Sequence, residues 1–127
     1  MPLVKNRTNA DVCFDASTTS IATTQVAATV VASSSGFVQR VMACAAGTTT
    51  GTITVAVAVN GGSDICGGGL TIAAGTGARA GSVMEFAGVG SASGVYVAEG
   101  DCITFTASGG TGATIQGGFS LVIRAMN

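Results

Sequence analysis

Histidine and tryptophan are missing from this 127-residue chain, and proline and tyrosine occur once each, as Pro2 and Tyr96. Without histidine a single chain cannot build a Ser-His-Asp triad, a Cys-His dyad or a His-ligated zinc site. Charge is also scarce: Asp, Glu, Lys and Arg make up 9% of the residues, against about 25% in an ordinary soluble domain. Five cations set against six anions leave no basic surface for nucleic acid. No apolar run reaches the roughly 18–20 residues of a membrane-spanning helix. The opening MPLVKNRTNAD lacks the apolar stretch of a secretory signal, so the expected setting is a reducing compartment. Cys13, Cys44, Cys66 and Cys102 are widely spaced with no CxxC pair, which excludes zinc-ribbon and thioredoxin readings. An even number leaves disulfides open, but free thiols acting as small hydrophobes are the expectation. No metal or other cofactor is expected.

What the chain does hold is small and apolar. Hydrophobic residues are 47% of it, glycine contributes 20 residues, and five Phe are the large anchors. Such a composition is too apolar for a disordered chain. A chain of this length forms one domain and buries roughly 65–70% of its unfolded surface. A free monomer usually stays soluble with about a quarter to a third of its surface charged. The shortage of charge here implies an exterior covered, in the working state, by copies of the chain or by a larger partner, with a weakly charged soluble monomer as the competing reading.

Hydrophobic periodicity is that of strands. In TITVAVAV (52–59), Ile53, Val55, Val57 and Val59 share one face, with Thr and Ala on the other. CITFTA (102–107) aligns Ile103 with Phe105, and FSLVIRA (119–125) aligns Phe119, Leu121, Ile123 and Ala125. Residues 25–32 and 37–45 read as strands with both faces partly covered, and 69–73, 82–87 and 94–98 as short strands. Asn60-Gly61-Gly62, Glu99-Gly100-Asp101 and Ser108-Gly109-Gly110 supply turns. The pattern predicts an all-β, antiparallel β-sandwich of about eight strands, a number that suits a jelly roll. Residues 1–11 carry no strand pattern and are assigned to an extended N-terminal arm, with 12–127 as the domain.

Motifs for chemistry are weak. GTGARAG (75–81) and GVGSASG (88–94) each miss the GxGxxG spacing by one residue and open no helix, so both read as loops. Glu99 and Asp101 are the closest acidic pair, but with no aromatic floor for a sugar they read as a turn accepting backbone hydrogen bonds. Asp11, Asp15 and Asp64 match no calcium-loop spacing. Asn6-Arg7-Thr8 is a chance sequon. Cys102 sits opposite the Ile103/Phe105 face, with no cation to activate it, and reads as a buried or interfacial thiol. Phe14 and Phe37, near strand ends, are candidates for contact with another chain, with core burial as the competing reading. Absent histidine and isolated carboxylates argue against an enzyme.

From Phe37 onward the chain resembles small virion surface proteins of tailed bacteriophages, of the capsid decoration (cement) or head-fibre type. The resemblance rests on FVQRVMACAAGTTTGTITVAVAVNGG (37–62), VYVAEGDCITFTASGGTGA (95–113) and the closing GGFSLVIRAMN (117–127). It implies a jelly-roll β-sandwich, often a homotrimer, on the outer surface of a capsid and made in the host cytoplasm. The implied partners are the major capsid protein and the chain itself, with no nucleic acid and no membrane. In that setting Leu3, Val4, Lys5 and Arg7 of the arm, together with Phe14 and Phe37, are the expected capsid or subunit contacts. The alternative function on the same scaffold is a fibre or adhesin tip that recognises a host-surface glycan through the loops at 61–69, 75–81 and 88–94.

Overall fold

The computed structural model describes residues 11–18, 20–21, 25–47, 50–73, 81–85, 95–109 and 115–125. Among them the chain is all β, with nine strands: β1 (Asp11–Thr18), β2 (Gln25–Val31), β3 (Gly36–Ala45), β4 (Ile53–Val59), β5 (Thr71–Ile72), β6 (Gly81–Glu85), β7 (Tyr96–Val97), β8 (Cys102–Ser108) and β9 (Gly117–Ala125). They form two antiparallel sheets. One runs β1-β9-β3-β6, with the two-residue β7 also paired to β3; the other runs β2-β8-β4-β5. Successive strands therefore cross from sheet to sheet for most of the chain. Only β4-β5 and β6-β7 are consecutive strands in the same sheet.

The period-2 runs fix which face turns inward. Ile53, Val55 and Val57 of β4 and Ile103, Phe105 and Ala107 of β8 are buried on one side of the core. Val38, Val41, Ala43 and Ala45 of β3 and Phe119, Leu121 and Ile123 of β9 are buried on the other. The rings of Phe105 and Phe119 stack across the gap between the sheets, 5.2 Å apart and 10° from parallel. That contact joins two of the largest fully buried side chains and makes the two sheets one hydrophobic unit.

Two details of the backbone follow from single residues. Asn60 at φ 53° and Gly61 at φ 76° turn the chain after β4, a conformation that Asn and Gly adopt most readily. Gly36 lies where an added Cβ would meet the Arg124 backbone carbonyl of β9, so no larger residue fits without parting β3 from β9.

The structure corrects the sequence reading at three places. Residues 11–18 form a strand, which the sequence reading omitted, and it pairs with β9 from Asp11↔Arg124 to Thr18↔Gly117. Strand β3 has one buried face and a partly covered outer one, as expected, but a bulge absent from the expectation shifts its register between Val38 and Arg40. The extra residue moves the buried set from Val38 to Val41. Strand β2 is not covered on its outer side; Ala27, Thr29 and Val31 are exposed there, Val31 at 59%.

Candidate contact surfaces

Of the contact residues expected from the sequence, Leu3, Val4, Lys5 and Arg7 lie outside the described residues. Phe14 of β1 is 4% exposed and belongs to the core, so its ring is already in use within the chain. Phe37, the second residue of β3, is half-buried, its ring edge-on to Tyr96 with centroids 5.2 Å apart; Tyr96 itself is 49% exposed. These two aromatics form a small apolar corner where β7 meets β3.

The acidic residues serve the turns. Asp64 accepts three backbone N–H groups: Val57 and Cys66 donate to Oδ1, both at 2.9 Å, and Gly68 donates to Oδ2 at 3.0 Å. Ala98 N–H donates to Asp101 Oδ2 and the Asn60 amide to Oδ1, each at 2.9 Å, while Asn60 Oδ1 accepts the Cys102 N–H at 2.8 Å. Glu99 takes part through its backbone N–H, which donates to the Ser35 hydroxyl at 2.8 Å. The Glu99-Gly100-Asp101 segment is thus the hydrogen-bonded turn that the sequence suggested. Asp11 and Asp15 lie on β1, in the other sheet from the strand that Asp64 serves, and no metal-binding group of three or more His, Cys, Asp or Glu occurs among the described residues.

All four cysteines are unpaired. Cys66 is buried, and that burial, with the nearby Asp64 carboxylate, pushes its thiol up to about 11, away from nucleophilic reactivity. Cys102 is exposed on the outer side of β8 and not buried as the sequence reading allowed, because its neighbours across the sheet are an asparagine turn and the edge strand β2.

The outer faces of the two sheets differ in kind. On the β1-β9-β3-β6 sheet, charge is arranged in cross-strand pairs. Arg124 Nε donates to Asp11 at 2.7 Å, and Arg40 lies 3.8 Å from Glu85. Beyond the Arg40–Glu85 pair, on the side away from Arg124, is an apolar dish of about 420 Å³, floored at Gly118 and walled by Met42, Cys44 and Val83, with Asp15 and Ser120 at its margin. The dish exists because Gly118 offers no side chain between Cys44 and its neighbours on β1. Val83 stands 56% exposed above it. Ser120 donates to Asp15 at 2.6 Å and the Cys13 thiol donates to the same oxygen at 3.2 Å.

The outer face of the β2-β8-β4-β5 sheet carries no ionised side chain among the described residues. Strand β2 presents Ala27, Thr29 and Val31; β8 presents Cys102, Thr104, Thr106 and Ser108; β4 presents Thr54, Ala56 and Ala58; and β5 presents Thr71. All six acidic residues of the chain lie elsewhere, at the turns or on the opposite sheet. The cations outside the described residues are Lys5, Arg7 and Arg79. Side chains this short make the face flat as well as uncharged. Sequence reasoning found the individual alternations but not this asymmetry, because strand pairing decides which outward residues become neighbours.

Two of the carboxyls make stability depend on pH. Hydrogen bonds from Ser120 and Cys13 hold Asp15 below its usual value of 3.8. Those from the Ala98 backbone and the Asn60 amide do the same for Asp101. A folded value below the unfolded one contributes stability that is present above about pH 4 and lost as pH falls through the folded value. The melting temperature is expected to hold between about pH 7 and 5 and to fall below about pH 4. Asp101→Asn should flatten part of that acid fall. An equally steep decline in the variant removes Asp101 from this role.

No protein-family model matches the sequence, and no curated protein matches it.

Proposed function

We propose that the chain is a structural virion protein that decorates a phage capsid from outside and cements it by contacts to several subunits at once. The observation that carries this reading is the flat, uncharged outer face of the β2-β8-β4-β5 sheet. An open antiparallel sheet normally turns a solvated polar and charged face to water. A broad Thr/Ala/Ser face with no ion on it loses little when dehydrated against protein, since no charge has to be stripped of water. The resemblance in 37–62, 95–113 and 117–127 supplies the setting, and it gives a homotrimer as the number of copies.

The strand orders β1-β9-β3-β6 and β2-β8-β4-β5 support a jelly-roll reading of the sandwich. With the two-residue β7 set aside, each sheet interleaves early and late strands, as two Greek keys folded together require. Cementing on such a scaffold needs no catalytic residue. Several weak interfaces on one assembly act together, because each contact raises the effective concentration for the next.

The test compares intact phage particles with particles stripped of the protein. Cementing predicts hundreds of copies per purified virion and earlier loss of genome from stripped particles on heating or osmotic shock, with recovery when the protein is added back. Equal resistance of stripped and intact particles sinks the cement role. A handful of copies per virion, with binding of the purified protein to host glycan, favours the fibre-tip alternative.

A further inference from the structure

The edges of the two sheets are not equally protected. A free strand edge exposes unpaired N–H and C=O groups and invites another strand, so proteins guard edges with charge, bulges, short strands or covering loops. Beyond the two-residue β5, the outer edge of β4 is stoppered by its own chain: Leu70 C=O accepts Val55 N–H at 2.8 Å, the Asp64 carboxylate accepts Val57 N–H at 2.9 Å, and Val57 C=O accepts Ile65 N–H at 2.8 Å. Strand β1 carries Asp11 and Asp15, and β6 carries Glu85. Strand β2 of the described residues carries no guard of its own, although its neighbour in the other sheet, β1, runs close to it. Its sequence QVAATVV contains no charge, no proline and no glycine, its pairing with β8 is regular over all seven residues, and it ends its sheet among the described residues.

The backbone of β2 also shows which groups are free. Ala32, next after β2, donates its N–H to Asp101 and accepts the Gly100 N–H, so its polar groups face the β8 side. Backbone groups alternate sides along a strand. Val31, Thr29 and Ala27 therefore aim theirs away from β8. The Cys102 carbonyl agrees, since it is taken by Asn60 N–H of the turn after β4 and not by Val31 opposite.

We propose that β2 pairs antiparallel with β2 of a second copy, about a two-fold axis through Thr29. In this register Thr29 exchanges both backbone bonds with its symmetry mate, and Ala27 does so with Val31 of the other copy. Threonine meets threonine on the outer face, a favourable cross-strand pair. The exposed Val31 packs on Ala27, and no charge meets a like charge. The occupant is a second copy because the edge complements itself in this register: no residue from Ala27 to Val31 is charged or larger than valine. The pairing fuses two uncharged faces into one of twice the width. It is independent of the virion reading and of any three-fold contact, which would use another surface.

Sedimentation velocity of the full chain tests it, beside Thr29→Lys and Val31→Lys. Both positions are exposed in the single chain, and circular dichroism with thermal melting checks that each variant is folded. The wild type should sediment as an even number of 12.2 kDa chains, and each variant should halve that mass, because Thr29→Lys sets two ammonium groups face to face at the axis. A wild-type monomer or trimer overturns the proposal, as does an even-numbered assembly whose mass neither variant changes. A trimer would do so while leaving the cement reading intact.

Discussion

Phe105→Ala is expected to lower stability by about 3–5 kcal/mol, a fall in melting temperature of roughly 12–20 °C for a domain of this size. The ring is fully buried and stacked on Phe119 of the opposite sheet, so its loss leaves a cavity between sheets instead of a dent at an edge. The neighbours are mostly Val, Ile and Ala, short branched side chains held on rigid strands, and they cannot swing in to fill it. The chain has no Trp and only five Phe to hold its sheets apart at the right spacing, so each interior ring carries more of the packing than in a protein rich in aromatics. Phe105→Leu keeps most of the volume and should cost about 1 kcal/mol. A double-mutant cycle with Phe119→Leu should return a coupling of about 0.5–1.5 kcal/mol from the stacked pair. A loss below about 1.5 kcal/mol in Phe105→Ala would mean that the sheets close over the gap, and that the stacked pair does not set their separation.

The same residues show why some of this fold was legible in the sequence. Strands β4 and β8 alternate strictly with one buried face, and β9 alternates through Phe119, Leu121 and Ile123 although Val122 is buried as well, so period alone places Ile53, Phe105 and Leu121 inward. Strand β1 hid because an edge strand buries only part of one face. Its alternation of Val12, Phe14 and Ala16 is real, but Asp11 and Asp15 between them resemble a polar arm, and only Phe14 is fully buried. The bulge at Gln39 hid for a different reason. One inserted residue inverts the phase of everything after it, and the apolar residues of FVQRVMACA then fall on both phases of a simple alternation. The candidate surfaces were less legible still. Scarcity of charge was visible as a number, but its concentration on one sheet depends on Arg124 pairing with Asp11, 113 residues away. The exposed Val31 and Val83 look like core residues until the strand order shows that each lies on an edge strand.

Asp64→Ala is the second large effect, and it acts through backbone instead of packing. The carboxylate stands in for a strand that β4 lacks at Val57: it satisfies that N–H and, from the same side chain, those of Cys66 and Gly68 in the 61–70 segment. Hydrogen bonds to a charged acceptor contribute about 1.5–3 kcal/mol each at most, less where water can replace them. Asp64 is half-buried and Gly68 is exposed, so the three bonds together should be worth about 2–4 kcal/mol. The variant should melt roughly 8–16 °C lower. Asp64→Asn separates shape from charge. Its carbonyl oxygen can still accept from Val57 and Cys66, but its amide would then point N–H at the Gly68 N–H, donor against donor. It should therefore fall between wild type and Asp64→Ala. Hydrogen exchange gives the local readout: the Val57 and Cys66 amides should lose protection in the alanine variant and largely keep it in the asparagine variant, while Phe105 and Leu121 amides change only with global stability. If both variants melt with the wild type, the segment after β4 is held by Ile65 and Leu70 alone. The outer edge of β4 would then be open at Val57, and β2 would no longer be the one sheet edge of the described structure left without a guard.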